Sequence, residues 1–269
     1  MMARWLALLL LLSCAPSALA QQAVRVPVDG VQLGAQLHRP ATPGRVPAVA
    51  IFHGCGGVGV NNTRMAGLLK DWGYAALVVD SFTARGMVDI CGRHWPTEAD
   101  AVARERDIDA ALAWLSKQDF VDGGRLAFIG YSYGGGVALL RAFEARVPKA
   151  RAAILLYPDC GLGGPLGAVP EPRQPTMFAM GALDDWTPPA QCQAVIDRVK
   201  VGRELVEAHV YADAHHSFDA LGLPVRYLDG VGNRSKPGGC CGAHYGANDA
   251  AWQAFVADTR AFLAKAFAH

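Results

Sequence analysis

The sequence has no run of basic residues, no interleaving of aromatic with basic residues and no acidic tail. Its 25 lysines and arginines nearly balance its 24 aspartates and glutamates. It therefore lacks the cationic face that a phosphate backbone requires, and no nucleic-acid partner is expected. Cys-x-x-Cys pairs and histidine spacing of the zinc type are also missing, so neither a metal nor a cofactor is expected. No internal repeat, low-complexity segment or linker divides the chain, and after the first twenty residues nothing approaches a membrane span. What is present is a chain of 269 residues, 52% hydrophobic, which is enough to bury one sizeable core. The expectation is a leader over 1–20 and one domain over 21–269.

The leader is "MMARWLALLLLLSCAPSALA". One positive charge at Arg4 precedes an apolar stretch, and Ala18-Leu19-Ala20 forms a small-x-small cleavage site. A rival reading takes Leu11-Leu12-Ser13-Cys14 as a lipoprotein box, which would anchor the chain through a lipid on Cys14. Leu12 suits that box poorly, so the expectation is an exported protein, periplasmic or secreted. Of the seven cysteines, Cys14 belongs to the leader, and the other six are Cys55, Cys91, Cys160, Cys192, Cys240 and Cys241. An even number in an exported chain points to disulfides.

The mature chain opens on two extended stretches, "VRVPV" and "VQLGAQLH", separated by Asp29-Gly30, which predicts an antiparallel hairpin. Six short apolar runs follow: 46–54, 74–81, 125–132, 151–158, 175–181 and 204–211. They suit strands buried on both faces of a parallel sheet. Helices are expected between them over 63–72, 97–117, 133–145, 188–200 and 249–267. The second should be capped by Thr97 and Asp100 and should turn Val102, Ile108, Leu112 and Leu115 to the core. Strand-helix alternation implies an α/β, mostly parallel, doubly wound sheet flanked by helices. Two long loops, 82–96 and 221–246, both contain cysteines, and loops of that length are functional or pinned.

Neighbouring strands should bring Cys160, after the strand that follows the helix over 133–145, close to Cys192 at the start of the helix over 188–200. Cys55 and Cys91 both fall near the mouth of the site. The expected bonds are therefore Cys55–Cys91 and Cys160–Cys192. Cys240–Cys241 remains, although neighbours must close a strained eight-membered ring. Six cysteines allow 15 connectivities.

The chemistry starts at "FIGYSYGGGVALL". Gly130-Tyr131-Ser132-Tyr133-Gly134 fits Gly-x-Ser-x-Gly where a buried strand meets a helix, the context of a nucleophile elbow. A serine needs a base, and the base needs an orienting acid. "ALDDWTPP" and "ADAHHSFD" follow later strands, so Asp184 or Asp185 and His215 or His216 come in the order of an α/β-hydrolase triad. An oxyanion hole requires two amides. These are expected from Tyr133 and, in "HGCGG", from Cys55, with His53 ordering that loop.

At these residues the chain resembles the dienelactone hydrolase family of α/β-hydrolases. "FHGCGG", "VVDSFTARG", "GYSYGG", "GALDDWTPP" and "HHSFD" carry the resemblance over nearly the whole mature chain. It implies the α/β-hydrolase fold, with Ser132 as nucleophile, Asp184 as acid and His216 as base. It also implies that Arg85 contacts a substrate carboxylate. The family's name-giving enzymes are cytosolic and carry cysteine at the elbow. The serine, the leader and the extra cysteines imply an exported esterase instead.

The function expected is cleavage of small carboxylic esters or lactones through an acyl-enzyme. A peptidase or acyltransferase with the same triad remains open, as does a non-catalytic envelope binding protein on the same fold. Trp95, Trp186, Tyr227 and Tyr245 are candidate aromatic walls. The oligomeric state is not readable.

Overall fold

The computed structural model describes residues 21–92, 98–143, 150–162 and 170–268. The expected leader with Cys14, the Thr97 cap and Trp95 lie outside the described residues. The chain opens on β1 (Gln21–Val28) and β2 (Val31–His38). Val28 faces Val31 across a two-residue turn at Asp29 and Gly30, both with positive φ, so the hairpin closes as expected. Six strands follow: β3 (Val46–Phe52), β4 (Ala75–Asp80), β5 (Val121–Tyr131), β6 (Ala152–Leu156), β7 (Thr176–Gly181) and β8 (Val206–Tyr211). They join one sheet of order β1-β2-β4-β3-β5-β6-β7-β8. β1, β2 and β4 pair antiparallel, and β3 to β8 run parallel.

Both faces of the sheet are covered, which is why its strands read as continuous apolar runs. Ala48, Ala50 and Phe52 point to one core with α2 (Glu98–Ser116), α3 (Tyr133–Phe143) and α4 (Pro189–Arg198). Val49 and Ile51 point to the other, with α1 (Val60–Asp71) and α5 (Asp249–Phe267). In α2 the inward stripe differs from expectation. Ile108, Leu112 and Leu115 are buried, but Val102 is only half-buried, and Arg104 takes a buried position on that face. The loop 221–246 is not wholly irregular: β9 (Arg226–Leu228) and β10 (Ala243–Tyr245) pair within it.

β3 sends its connection one way, to β4, and β5 lies on its other side. The loops after β3 and β5 therefore diverge at the C-terminal edge, which is where open α/β sheets leave a crevice. Disulfides brace that edge. Cys55–Cys91 joins the loop after β3 to the long loop after β4, with Cα atoms 5.0 Å apart. Cys160–Cys192 joins the loop after β6 to α4, also at 5.0 Å. Cys240 and Cys241 are bonded to each other.

Cys160–Cys192 closes a loop of 32 residues, so the bond restricts the unfolded chain. Replacing both cysteines by alanine should lower unfolding free energy by about 2–4 kcal/mol in denaturant titrations. An unchanged midpoint would show that the bond carries no stability.

Candidate active site

β5 ends at Tyr131 and α3 begins at Tyr133, so Ser132 alone makes the turn. It does so at φ 54, in the left-handed region that non-glycine residues seldom occupy. Its amide donates to the Leu156 carbonyl at 2.9 Å. Its carbonyl accepts from the amides of Gly136 at 2.9 Å and Asp159 at 3.0 Å. Bonds on both sides hold the strained residue in place.

Ser132, His216 and Asp184 meet at the sheet edge, and all three are buried. His216 Nε2 lies 2.9 Å from Ser132 Oγ, and its Nδ1 lies 2.8 Å from Asp184 Oδ2. Asp184 is saturated with donors. Its Oδ1 accepts from the amides of Trp186 at 2.9 Å and Thr187 at 2.8 Å. Its Oδ2 also faces the Thr187 hydroxyl at 2.9 Å. The His216 ring is held between Tyr157 and Trp186, with centroids 4.6 and 4.8 Å away. Tyr157 is fixed in turn by its hydroxyl, which donates to buried Asp219 at 2.8 Å.

The neighbouring acid and histidine point elsewhere. Asp185 accepts from the His244 amide at 2.8 Å and pairs with His244 Nδ1 at 2.9 Å. Burial pushes its carboxyl up, but the His244 ring and amide outweigh that and hold it below the ordinary range. His215 packs beside His244, with ring centroids 5.6 Å apart, and not against Ser132.

The loop after β3 comes close to the serine. A Cβ on Gly54 would stand 3.2 Å from Ser132 Cβ and 3.8 Å from its Oγ. Cys55, the next residue, lines the cavity with Ser132 and Tyr133. His53 is buried, and its Nδ1 lies 2.7 Å from the Gly54 carbonyl oxygen. Its Nε2 accepts from the Ser81 amide at 3.1 Å, which leaves the ring proton on Nδ1. Burial, with Arg104 nearby, pushes its pKa down to about 3. His53 is thus a neutral loop-ordering residue.

Arg85, expected to contact a substrate carboxylate, is engaged within the chain. Its guanidinium makes a two-bond pair with Asp107, at 2.8 and 2.7 Å, and donates to the Ser81 carbonyl at 2.7 Å. Asp107 is fully buried, so the carboxylate that Arg85 holds belongs to the chain itself. It ties the loop after β4 to α2 and is absent from the walls around Ser132.

Sequence reasoning missed other groups at the site. Thr187 lies in the quoted acid loop but had no assigned role. Asp159 and Arg234 line the cavity beside Ser132, with Arg234 Nε 3.2 Å from Asp159 Oδ2. Burial pushes the Asp159 carboxyl up, against the pull of Arg234. On the His216 side a cavity of about 260 Å³ is walled by Tyr131, Tyr157, Trp186, Leu228 and Tyr245. Tyr227 instead stays half exposed and bonds the Cys241 carbonyl at 3.1 Å. The described residues hold no cluster suited to a metal and no helix long and apolar enough to cross a membrane.

A model of the Dienelactone hydrolase family matches residues 33–261. A probable 2-oxo-3-(5-oxofuran-2-ylidene)propanoate lactonase of Bradyrhizobium sp is 26% identical over 76% of this chain and 86% of its own length. A carboxymethylenebutenolidase of Pseudomonas putida is 29% identical over 71% of this chain and 82% of its own. Among solved structures, an α/β-hydrolase from Penicillium sp. sh18 superposes with a TM-score of 0.66 at 15% identity. It covers 93% of this chain and 99% of that one. At that identity it shows the α/β-hydrolase fold.

His53 supplies a test in acid. Its folded pKa of about 3 lies below the ordinary 6.5, so between those values the unfolded chain binds a proton that the folded chain refuses. Stability should fall as pH falls through that window, at up to about 1.4 kcal/mol per pH unit from this group. Unfolding midpoints for His53→Asn should give a shallower acid limb than the parent. Parallel limbs would refute a neutral buried His53.

Proposed function

The chain belongs to the dienelactone hydrolase family and is a carboxylic ester or lactone hydrolase, and we propose that it works through an acyl-enzyme on Ser132. One observation carries this reading: the continuous hydrogen-bond chain from Ser132 Oγ through His216 to Asp184, at 2.9 and 2.8 Å. His216 Nε2 removes the serine proton as Oγ attacks the carbonyl carbon. The tetrahedral oxyanion is received by the amides of Cys55 and Tyr133. His216 then returns the proton to the leaving alkoxide, and water repeats the sequence to release the acid. Asp184 keeps the ring proton on Nδ1 and stabilises the imidazolium. Thr187 and the two backbone amides hold Asp184 for that role.

The substrate is a small ester or lactone whose one side lies among Tyr157, Trp186 and Tyr245. The curated relatives include a lactonase and a carboxymethylenebutenolidase, and both names support this class. Serine at the elbow supports an ester preference, because its hydroxyl depends wholly on the base. The disulfides support an oxidising, exported location.

Ser132→Ala should lower ester hydrolysis by about 10³-fold or more while preserving the circular dichroism spectrum. Labelling with a fluorophosphonate should fall on Ser132, and an unlabelled protein would leave a binding module as the better reading.

The neighbours allow a sharper comparison. His216→Ala should approach the serine variant in kcat, and His215→Ala should stay within about tenfold of the parent. Asp184→Asn should be worse than Asp185→Asn, whose loss should show in stability because it releases His244. The reverse ranking in either pair refutes the proposed register.

A further inference from the structure

One buried charge has no part in the steps above. Arg104, on α2, is 3% exposed. Its Nη2 donates to the His53 carbonyl oxygen at 2.8 Å. Its guanidinium carbon lies 5.1 Å from the centre of the Phe82 ring and 5.0 Å from that of Tyr133. Its Nε and Nη1 have no hydrogen-bond partner among the described residues. The acids nearby are engaged elsewhere: Asp107 with Arg85, and Asp80 with the amides of Phe82 and Thr83.

A buried guanidinium stays charged, because even when burial lowers its pKa the group is too basic to lose its proton. Burying a cation without a contacting carboxylate is costly. An apolar side chain on this stripe of α2 would avoid that cost. Fold stability alone therefore does not account for arginine here.

Its contacts do. His53 begins the loop that bears the Cys55 amide, and Tyr133 bears the other amide of the proposed oxyanion hole. The Arg104 cation touches both residues, in a part of the molecule shut off from water. A positive charge there acts through a low effective dielectric on negative charge developing nearby. Phe82 and neutral His53 stack edge-on at 4.4 Å and complete the wall around it.

We propose that Arg104 is a positioning residue for the oxyanion hole. Its guanidinium fixes the His53 carbonyl and the Tyr133 ring, and with them both amides, while its charge favours the tetrahedral oxyanion. This rests on Ser132 as nucleophile and on those amides as donors.

The test uses the purified enzyme with Arg104→Met and Arg104→Lys. Steady-state hydrolysis of p-nitrophenyl butyrate is measured beside inhibition by a trifluoromethyl ketone, which forms an anionic tetrahedral adduct on a serine. Arg104→Met should lower kcat by about 10–100-fold with KM within about threefold. The ketone should bind more weakly by about the same factor. Arg104→Lys, which keeps the charge, should recover most of both. A folded Arg104→Met with kcat and ketone affinity within about twofold of the parent overturns the proposal. So does a kcat loss that leaves ketone affinity unchanged, or an equal loss in both variants. If the methionine chain does not fold, Arg104→Gln replaces it and the same two readings decide. Fluorophosphonate labelling of the parent separates the layers. No label on Ser132 sinks the acyl-enzyme reading itself, whereas a labelled parent with insensitive variants sinks only the role of Arg104.

Discussion

The sheet edge that carries Ser132 depends on how closely β5 and α3 pass each other. A Cβ on Gly130 would run into the Gly134 carbonyl, and one on Gly134 would run into the carbonyl oxygen of His53. Only glycine leaves room for the strand, the helix and the loop after β3 to touch there. That contact forces Ser132 to turn at positive φ and lifts Oγ toward His216. The strain costs on the order of 1–3 kcal/mol. Three backbone hydrogen bonds to Ser132, from two neighbouring segments and its own helix, offset it. The elbow is therefore a property of three elements together.

The ionisable groups around this elbow divide by whether a proton can move. Asp184 is held by four donors, so its charge is matched in place. His53 spends both ring nitrogens on backbone groups and stays neutral. Asp185 is paired to His244 and not to His216. His216 differs from all of these, since one nitrogen faces a carboxylate and the other a hydroxyl. In the proposed reaction, a proton taken from Ser132 thus has one place to go. Tyr157 and Trp186 on either side keep the ring in the plane that joins the two partners.

The fold was legible because its signals are local. Apolar runs of strand length, a two-residue turn at Asp29-Gly30 and glycines around Ser132 each state their structure within a few residues. The order of Ser132, acid and histidine was legible for the same reason. The residues alone left Asp184 and Asp185 open and the family resemblance chose Asp184, while the contacts that tell the two apart, from Trp186, Thr187 and His244, meet only in the fold. The partner of Arg85 was not legible either, because a loop arginine carries no mark of it and Asp107 lies on a different element. Arg104 did leave a trace. It falls four residues before Ile108 on the apolar stripe of α2, where a charge has no cheap reason to be. Asp159 and Arg234 left none, because 74 residues of intervening chain separate a pair that the fold puts side by side.

The same geometry constrains how substrates are selected. The loop over the site is anchored from several directions. Fully buried Asn233 donates to the carbonyls of Asp185 at 2.8 Å and Gly242 at 2.9 Å. The Gly232 amide donates to the Cys91 carbonyl at 3.0 Å, and Cys91 is bonded to Cys55. Trp186, which covers His216, donates through its indole nitrogen to the Gly232 carbonyl at 2.8 Å. The loop over the site, the Trp186 ring and the loop after β3 are thus one connected body. In a wall braced in this way, a hydrophobic fit is worth only about 1–3 kcal/mol per methylene. Larger discrimination must come from polar groups fixed in the wall, and Asp159 with Arg234 is the charged pair that this body places beside Ser132.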